Sequence, residues 1–469
     1  MLSSIVAVLM LHARSDARLS GSFRQDRAGW VYVRLVGEPH RIGFQHGYWL
    51  MPEIEAMLKV ERVYAAHDAH FKDPKAYAKE RAEAMQLLWP KIPTEYRQEL
   101  RGIQEGVRAR GSHLTLPDIV YNAMGSDYSY FRAFHQAQVA KLSRNSPKPK
   151  GAADHCSAFI ATGSSTKDGQ IVMGHNCWSG YADGEHNNII LDISPSQGKQ
   201  ILMDSFPGHI DSGDDFAVNS AGMMLTETTI DSYVGFDARG VPEPVRMREA
   251  IQYSNSLSDV ERWFTEKNNG AYANMWLIGD AKTNEVASLE LGLKNVIFHR
   301  TSDGAITSCN CPVDSKLTQE ECTRDAKLTS NMSSDRQARW SQLMERDKGK
   351  IDAELGKAYL GDHHNTVLGT DGPSLSDLCG HGDLESRKDH CDGPLFTPMG
   401  AVQGKVITST LAKRMSFWAR MGHPCGQPFF AASFLKAHPE FAWEKPILGD
   451  MPTRPWVLFT AAPGTTTTK

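Results

Sequence analysis

Apolar positions recur every three or four residues from Arg41 to His67, where Phe44, Leu50, Ile54, Met57 and Val60 fall on one face. That period predicts a helix. The same pattern predicts further helices over Lys75–Leu88, Thr94–Ala109 and Leu116–Ala140, with Pro90, Gly111 and Pro117 as breaks between them. Ahead of them Gly29–Val36 alternates as a strand. The first 140 or so positions therefore read as mainly helical.

The texture changes after a polar linker, Ser143-Arg144-Asn145-Ser146-Pro147-Lys148-Pro149-Lys150-Gly151. Cys156 heads an apolar run, Ser157-Ala158-Phe159-Ile160, and Thr166-Lys167-Asp168-Gly169 predicts a turn into a second run ending at Trp178. Two such runs joined by Asp-Gly read as a hairpin. More hairpins are expected from Asn188–Ile193 with Lys199–Asp204, Phe216–Val218 with Met223–Thr226, and Met275–Asp280 with Glu285–Glu290, and a strand over Val296–His299. Helices are expected over Pro244–Ser254 and Leu257–Lys267. Beyond Cys309 the pattern gives a helix near Ser334–Arg346, an irregular Gly/His/Cys segment over Leu360–Gly400, and a helix over Ser409–Met421. Antiparallel hairpins interleaved with helix pairs predict an α+β fold, with sheets covered by helices.

Composition narrows the class. The 469 residues are 41% hydrophobic and 23% charged with a net charge of −4, which suits a globular chain and leaves no basic footprint for nucleic acid. No run approaches the ~20 apolar residues of a transmembrane helix. The short apolar run Ile5–Leu11, followed by Ala13 and Ala17, predicts a secretory signal within residues 1–20 and a secreted or otherwise extracytoplasmic location, although no Lys or Arg precedes it. Cys309, Cys311, Cys322, Cys379, Cys391 and Cys425 all lie in the later half, and one or two disulfides are expected among them. A metal site competes, since His363, His364, His381 and His390 are close in sequence. The Cys-x-Cys spacing is not that of the paired zinc motifs, however, and no metal or cofactor is expected.

The chemistry centres on Cys156. A thiol is mostly protonated near neutral pH and needs a base. If the chain were cut between His155 and Cys156, the new α-amino group, with a pKa of roughly 7.7–8.0, would be that base, on the same residue as the nucleophile. The competing reading is a buried structural cysteine.

The flanking motifs sharpen the choice. Cys156-Ser157-Ala158 followed by Gly174-His175-Asn176-Cys177-Trp178, the stretch Ser205–Phe216 (SFPGHIDSGDDF), Leu225-Thr226-Glu227-Thr228-Thr229-Ile230, Asn269–Trp276 (NGAYANMW) and Gly400–Val406 (GAVQGKV) together resemble, in order, the motifs of the phospholipase B-like family. Gln403 departs from that family's acidic position. Peptidase C45 type acyltransferases are similar in having an exposed N-terminal cysteine. The resemblance implies an N-terminal nucleophile hydrolase: a four-layer αββα sandwich, with residues 21–155 as a mainly helical N-terminal fragment and 156–469 as the nucleophile-bearing fragment of one catalytic domain.

It implies self-cleavage between His155 and Cys156, with Cys156 as nucleophile and Asn274 as oxyanion donor. His175 would orient the nucleophile or bind substrate. Asn176, Trp178 and Thr228 would bind substrate, with Thr226 and Thr229 as alternatives to Thr228. The bland alternatives are a turn role for Asn274, an interior imidazole for His175 and a core ring for Trp178. The implied substrate is a small acylated, lipid-like molecule, cleaved at an amide or ester through a thioester. The rivals are acyl transfer to an amine and a secreted, non-enzymatic binding protein whose Cys/His segment holds a metal.

Overall fold

The computed structural model describes residues 16–67, 74–142, 156–213, 215–323, 331–366, 368–388 and 394–464. Its strands are β1 (Phe23–Arg27), β2 (Trp30–Gly37), β3 (Ser157–Gly163), β4 (Gly169–Gly180), β5 (Ile189–Pro195), β6 (Ile201–Ser205), β7 (Phe216–Asn219), β8 (Met223–Thr229), β9 (Asn274–Asp280), β10 (Glu285–Leu291), β11 (Val296–Thr301), β12 (Gly304–Ser308), the two-residue pair β13 (His364–Asn365) and β14 (Thr370–Asp371), β15 (Met399–Thr408), β16 (Ser416–Met421) and β17 (Val457–Thr460). One sheet runs β1-β2-β5-β6-β7-β8-β9-β10-β11, and a second runs β12-β3-β4-β15-β16-β17. The hairpins expected from alternation pair antiparallel. The parallel contact of β2 with β5 stitches the N-terminal segment into the larger sheet.

Alternation along each strand divides its residues between two cores. Trp30, Leu202, Val218, Met224 and Leu277 of the first sheet meet Ile160, Met173, Ile407, Phe417 and Phe459 of the second, so the two sheets pack face to face. Val33, Leu191, Met203, Leu225 and Trp276 point the other way, against α1 (Pro39–His67), α2 (Pro74–Leu88), α3 (Thr94–Ala109), α4 (Leu116–Leu142), α5 (Glu243–Tyr253) and α6 (Leu257–Thr265). On the far face of the second sheet, Phe159 packs 5.2 Å from Trp340 of α7 (Asn331–Arg346) and 5.7 Å from Tyr359 of α8 (Ala353–Leu360). Helices, sheet, sheet, helices: the four-layer αββα order is present. Residues 16–142 and the chain from Cys156 onward share these cores rather than folding apart. Between the sheets the ammonium of Lys405 on β15 meets the carboxylate of Asp204 on β6 at 2.5 Å, both fully buried.

Close approach of α1 and α3 depends on four glycines at i, i+4 spacing. A Cβ at Gly43 would lie 1.9 Å from the carbonyl oxygen of Glu99, and one at Gly47, Gly102 or Gly106 would lie 2.1–2.2 Å from a facing carbonyl oxygen. Backbone cannot yield as a flexible side chain does. Gly43→Ala or Gly102→Ala is therefore expected to cost about 3 kcal/mol or more, read as a fall in denaturant midpoint, whereas Gly125→Ala, with its nearest neighbour at 3.6 Å, is expected to cost little.

One predicted element is corrected. Ser409–Met421 is not a helix: a single turn, Ser409–Ala412, ends where Met415 turns at φ +51°, and Ser416–Met421 becomes β16, paired with β15 and β17. Phe417, Ala419 and Met421 alternate into the inter-sheet core, and that period of two overrides the apparent helical spacing. The edge strands β1, β12 and β17 went unpredicted, since each is only four or five residues long, and β15 was not read as a strand either. Cys156, Cys309, Cys322, Cys379 and Cys425 carry free thiols, so the expected disulfides do not form among them. Cys391, His390, His155 and residues 1–15 lie outside the described residues. Asp16–Ser20, at the end of the expected signal segment, rests on α1, where Gln45 and Arg41 donate to the Arg18 carbonyl and Arg41 also donates to that of Ser20.

Candidate active site

Cys156 stands immediately ahead of β3, 4% exposed, on the wall of a cavity of about 480 Å³. Met57, Val60 and Ala65 of α1 form an apolar side of this cavity, and the small residues Gly125, Ser126 and Ser129 of α4 open another. Cys177, Trp178 and Ser179, where β4 ends, close it behind the thiol.

The backbone of Cys156 is held at both ends. Its N–H donates to Asn310 Oδ1 at 2.8 Å. Asn310 has φ +67°, a left-handed conformation asparagine tolerates, and its Nδ2 donates to the Thr229 carbonyl at 2.9 Å. Arg336, fully buried on α7, donates to the Cys156 carbonyl, to Ser157 Oγ at 3.0 Å and to Asn310 Oδ1 at 3.2 Å. Its guanidinium lies 4.5 Å over the Trp178 ring, a cation–π contact out of water. The nitrogen that would become the α-amine thus has a fixed acceptor.

Asn274 begins β9 opposite Thr229 of β8, the residue whose carbonyl Asn310 engages. It is fully buried, and neither its Oδ1 nor its Nδ2 has a hydrogen-bond partner. A buried amide left unpaired costs about 1–3 kcal/mol, which calls for an explanation beyond folding.

The other predicted residues divide. Trp178 lines the cavity. Thr228 supports Asn310 instead: its Oγ1 meets Ser308 Oγ and accepts from Asn310 N–H at 3.3 Å. Asn176 turns to the outer face, where Nδ2 donates to the carbonyls of Leu360 and Leu378, each at 2.8 Å, so it braces a loop away from the cavity wall. His175 is buried across from Ala158 and Lys405, and burial with the nearby Lys405 charge holds its imidazole neutral, well below its usual pKa. It is not among the cavity-lining residues.

Sequence reasoning missed Asn310 and Arg336. Arg336 does fall on the stripe Met332, Trp340, Leu343 of α7, and arginine at a helical spacing inside an apolar stripe, with Arg339 beside it, was the available signal. The acidic character of the cavity was missed as well. Glu61, Asp183, Asp211, Asp215 and Glu243 line it, and among the described residues no lysine or arginine does. Tyr272 donates to Asp215 at 3.1 Å and to Glu227 at 3.2 Å. Burial, with Asp211 beside it, pushes the Glu243 carboxyl well up, and burial likewise raises Glu61 and Asp183.

Asp127 lies behind Glu243. Its Oδ1 accepts from Asn269 Nδ2 at 2.5 Å and from Glu243 N–H at 3.1 Å, while its Oδ2 is unpartnered. Burial raises its pKa from 3.8 to about 6. A carboxyl raised on folding adds stability that is complete below the unfolded pKa and lost as pH climbs through the folded one. Asp127→Asn keeps the acceptor and removes the charge. The stability of the wild type relative to this variant is therefore expected to fall between about pH 4 and pH 6 and level off above, by about 3 kcal/mol in all, measured by urea unfolding across that range.

Within the αββα sandwich a buried thiol at the head of an inner strand is joined through Asn310 to Thr229, the strand partner of Asn274, a buried unpaired amide that is not itself among the cavity-lining residues. The phospholipase B family model matches residues 54–299, over half the chain and inclusive of Cys156, Trp178 and Asn274, and the chain belongs to that family. It is 25% identical to human phospholipase B-like 1 over 57% of this chain and 51% of that protein, and 24% identical to phospholipase B of Crotalus adamanteus over 59% and 53%. An uncharacterized protein of Archaeoglobus fulgidus is 26% identical over 55% of this chain and 42% of its own. The chain thus spans about half the length of the curated relatives it matches. Among solved structures, a mutant of the conjugated bile acid hydrolase from Clostridium perfringens covers 56% of this chain and 89% of its own with TM-score 0.33 and 11% identity. Among the described residues, no helix is long and apolar enough to cross a membrane.

Proposed function

We propose that this chain is an acyl hydrolase of the N-terminal nucleophile type, with Cys156 as the nucleophile after cleavage of the His155–Cys156 bond. The carrying observation is the grip on the Cys156 nitrogen by Asn310 Oδ1 at the wall of the cavity. Once freed, that nitrogen takes the thiol proton. The thiolate sulfur attacks the substrate carbonyl, and the oxyanion accepts from Asn274 Nδ2, which has no partner to give up. Collapse releases the leaving group with the proton from the α-amine and leaves a thioester on Cys156. Water, deprotonated by the same amine, then attacks the thioester and releases the acid. Thr228 and Arg336 act as positioning residues through Asn310 and the Cys156 carbonyl.

The apolar wall from α1 suits an acyl chain, and the carboxyl-rich side favours a neutral or cationic leaving group over an anionic one. Membership of the phospholipase B family supports an acyl ester or amide of a lipid as the substrate class, and an extracytoplasmic location follows the same reading. Amino-terminal sequencing of purified protein tests the proposal. A fragment starting at Cys156, with activity only in cleaved material, is expected; full activity from an uncleaved chain overturns it.

A further inference from the structure

Outside this site, and beyond residues 54–299, four side chains from three separate segments converge. His363 follows α8, Cys379 and His381 stand on the loop after β14, and Cys425 follows β16. One ligand atom from each lies within 4.8 Å of all the others. The Nε2 atoms of His363 and His381 are 3.2 Å apart, and Cys425 Sγ is 3.6 Å from His381 Nε2. A zinc ion held tetrahedrally by Zn–N bonds of about 2.05 Å and Zn–S bonds of about 2.3 Å sets its ligand nitrogens about 3.3 Å apart and nitrogen from sulfur about 3.6 Å. Cys379 and His381 are almost fully buried, so an ion held between them would be shut off from solvent. We propose that His363, Cys379, His381 and Cys425 form a closed, four-ligand site for a zinc-class divalent cation.

The surroundings fit a structural site. His381 Nδ1 faces Asp383 Oδ1 at 4.0 Å, and Asp383 in turn accepts from Tyr181 at 2.7 Å, which places a carboxylate in the outer layer beside the ring. Among its described residues, the loop that carries the ligands has little secondary structure of its own beyond the two-residue β13–β14 pair and the single 3-10 turn Gly382–Leu384. It lies behind the active site: Asn176 holds the carbonyls of Leu360 and Leu378, and a Cβ on Gly380 would come 2.2 Å from the Trp178 ring. The cation would therefore clip α8, this loop and the end of β16 into one body against β4 and brace Trp178. Sequence spacing hid the set, because its members read as a single His363, a Cys379-x-His381 pair and a single Cys425 far apart, while Cys309 and Cys311, the pair that drew notice, are not in it.

The test uses full-length protein expressed with zinc supplementation and purified without chelator or a metal column. Elemental analysis is expected to find about one zinc per chain, falling at least fivefold in Cys379→Ser and in Cys425→Ser but not in Cys309→Ser. Should the serine variants fail to fold, wild type stripped with chelator and reloaded with cobalt(II) is expected to show tetrahedral d–d bands with a thiolate-to-cobalt transition. Substoichiometric zinc with no such spectrum, metal that persists in both serine variants, or a Cys379–Cys425 disulfide in the non-reduced peptide map would each overturn the site.

Discussion

Cys156→Ala is expected to leave the chain uncut at His155–Cys156 and to lower kcat/KM by about 10⁴-fold or more, because nothing else at that position can carry the acyl group. The two effects share one cause under the proposed mechanism, in which the sulfur that would attack substrate would also attack the preceding carbonyl in self-cleavage. Stability gives the contrast. The thiol is small, sits at a cavity edge and makes its fixed contacts through the backbone, which the variant keeps. Thermal unfolding of Cys156→Ala is therefore expected within about 1 kcal/mol of the uncut wild type. A buried structural cysteine would behave in the opposite way, with a stability loss and retained activity. Gel mobility, activity and melting of the one variant thus separate the readings.

Much of the architecture was legible from hydrophobic period alone. The four N-terminal helices and the hairpins around Asp168-Gly169 and Asn219–Gly222 fall where the pattern put them, since each buries one face and turns at residues suited to the turn: Gly169 and Gly222 have φ +75° and +86°. What stayed hidden depends on tertiary placement. Ser416–Met421 is a strand only because β15 and β17 flank it. Cys156 and Trp178 were visible through motif and position. Asn310 and Arg336 were not, because they act from segments 154 and 180 residues away and no local pattern records that meeting. The Gly43/Gly47 and Gly102/Gly106 pairs were present as small-residue spacings, yet only the packed helices show that backbone fills the space a Cβ would need. Asn176 is the converse: its motif context suggested the cavity, and strand parity sent it to the other face.

Asn274→Ala is expected to lower kcat by about 10²–10³-fold with little change in KM, because a donor aimed at a developing oxyanion acts in the transition state more than in the bound substrate. The amide is buried with both polar atoms unpaired, so its removal also relieves a desolvation cost of about 1–3 kcal/mol. Against that stands the small void left by the side chain, and the two nearly offset. The variant is therefore expected to melt at or above the wild-type temperature while losing most of its activity. Asn310→Ala supplies the comparison. Asn310 donates to Thr229 and accepts from both Cys156 and Arg336, so its loss strands buried groups and is expected to reduce stability and activity together. If Asn274→Ala instead unfolds early and its residual activity scales with the folded fraction, Asn274 is a turn residue at the head of β9 and the oxyanion donor must be sought elsewhere.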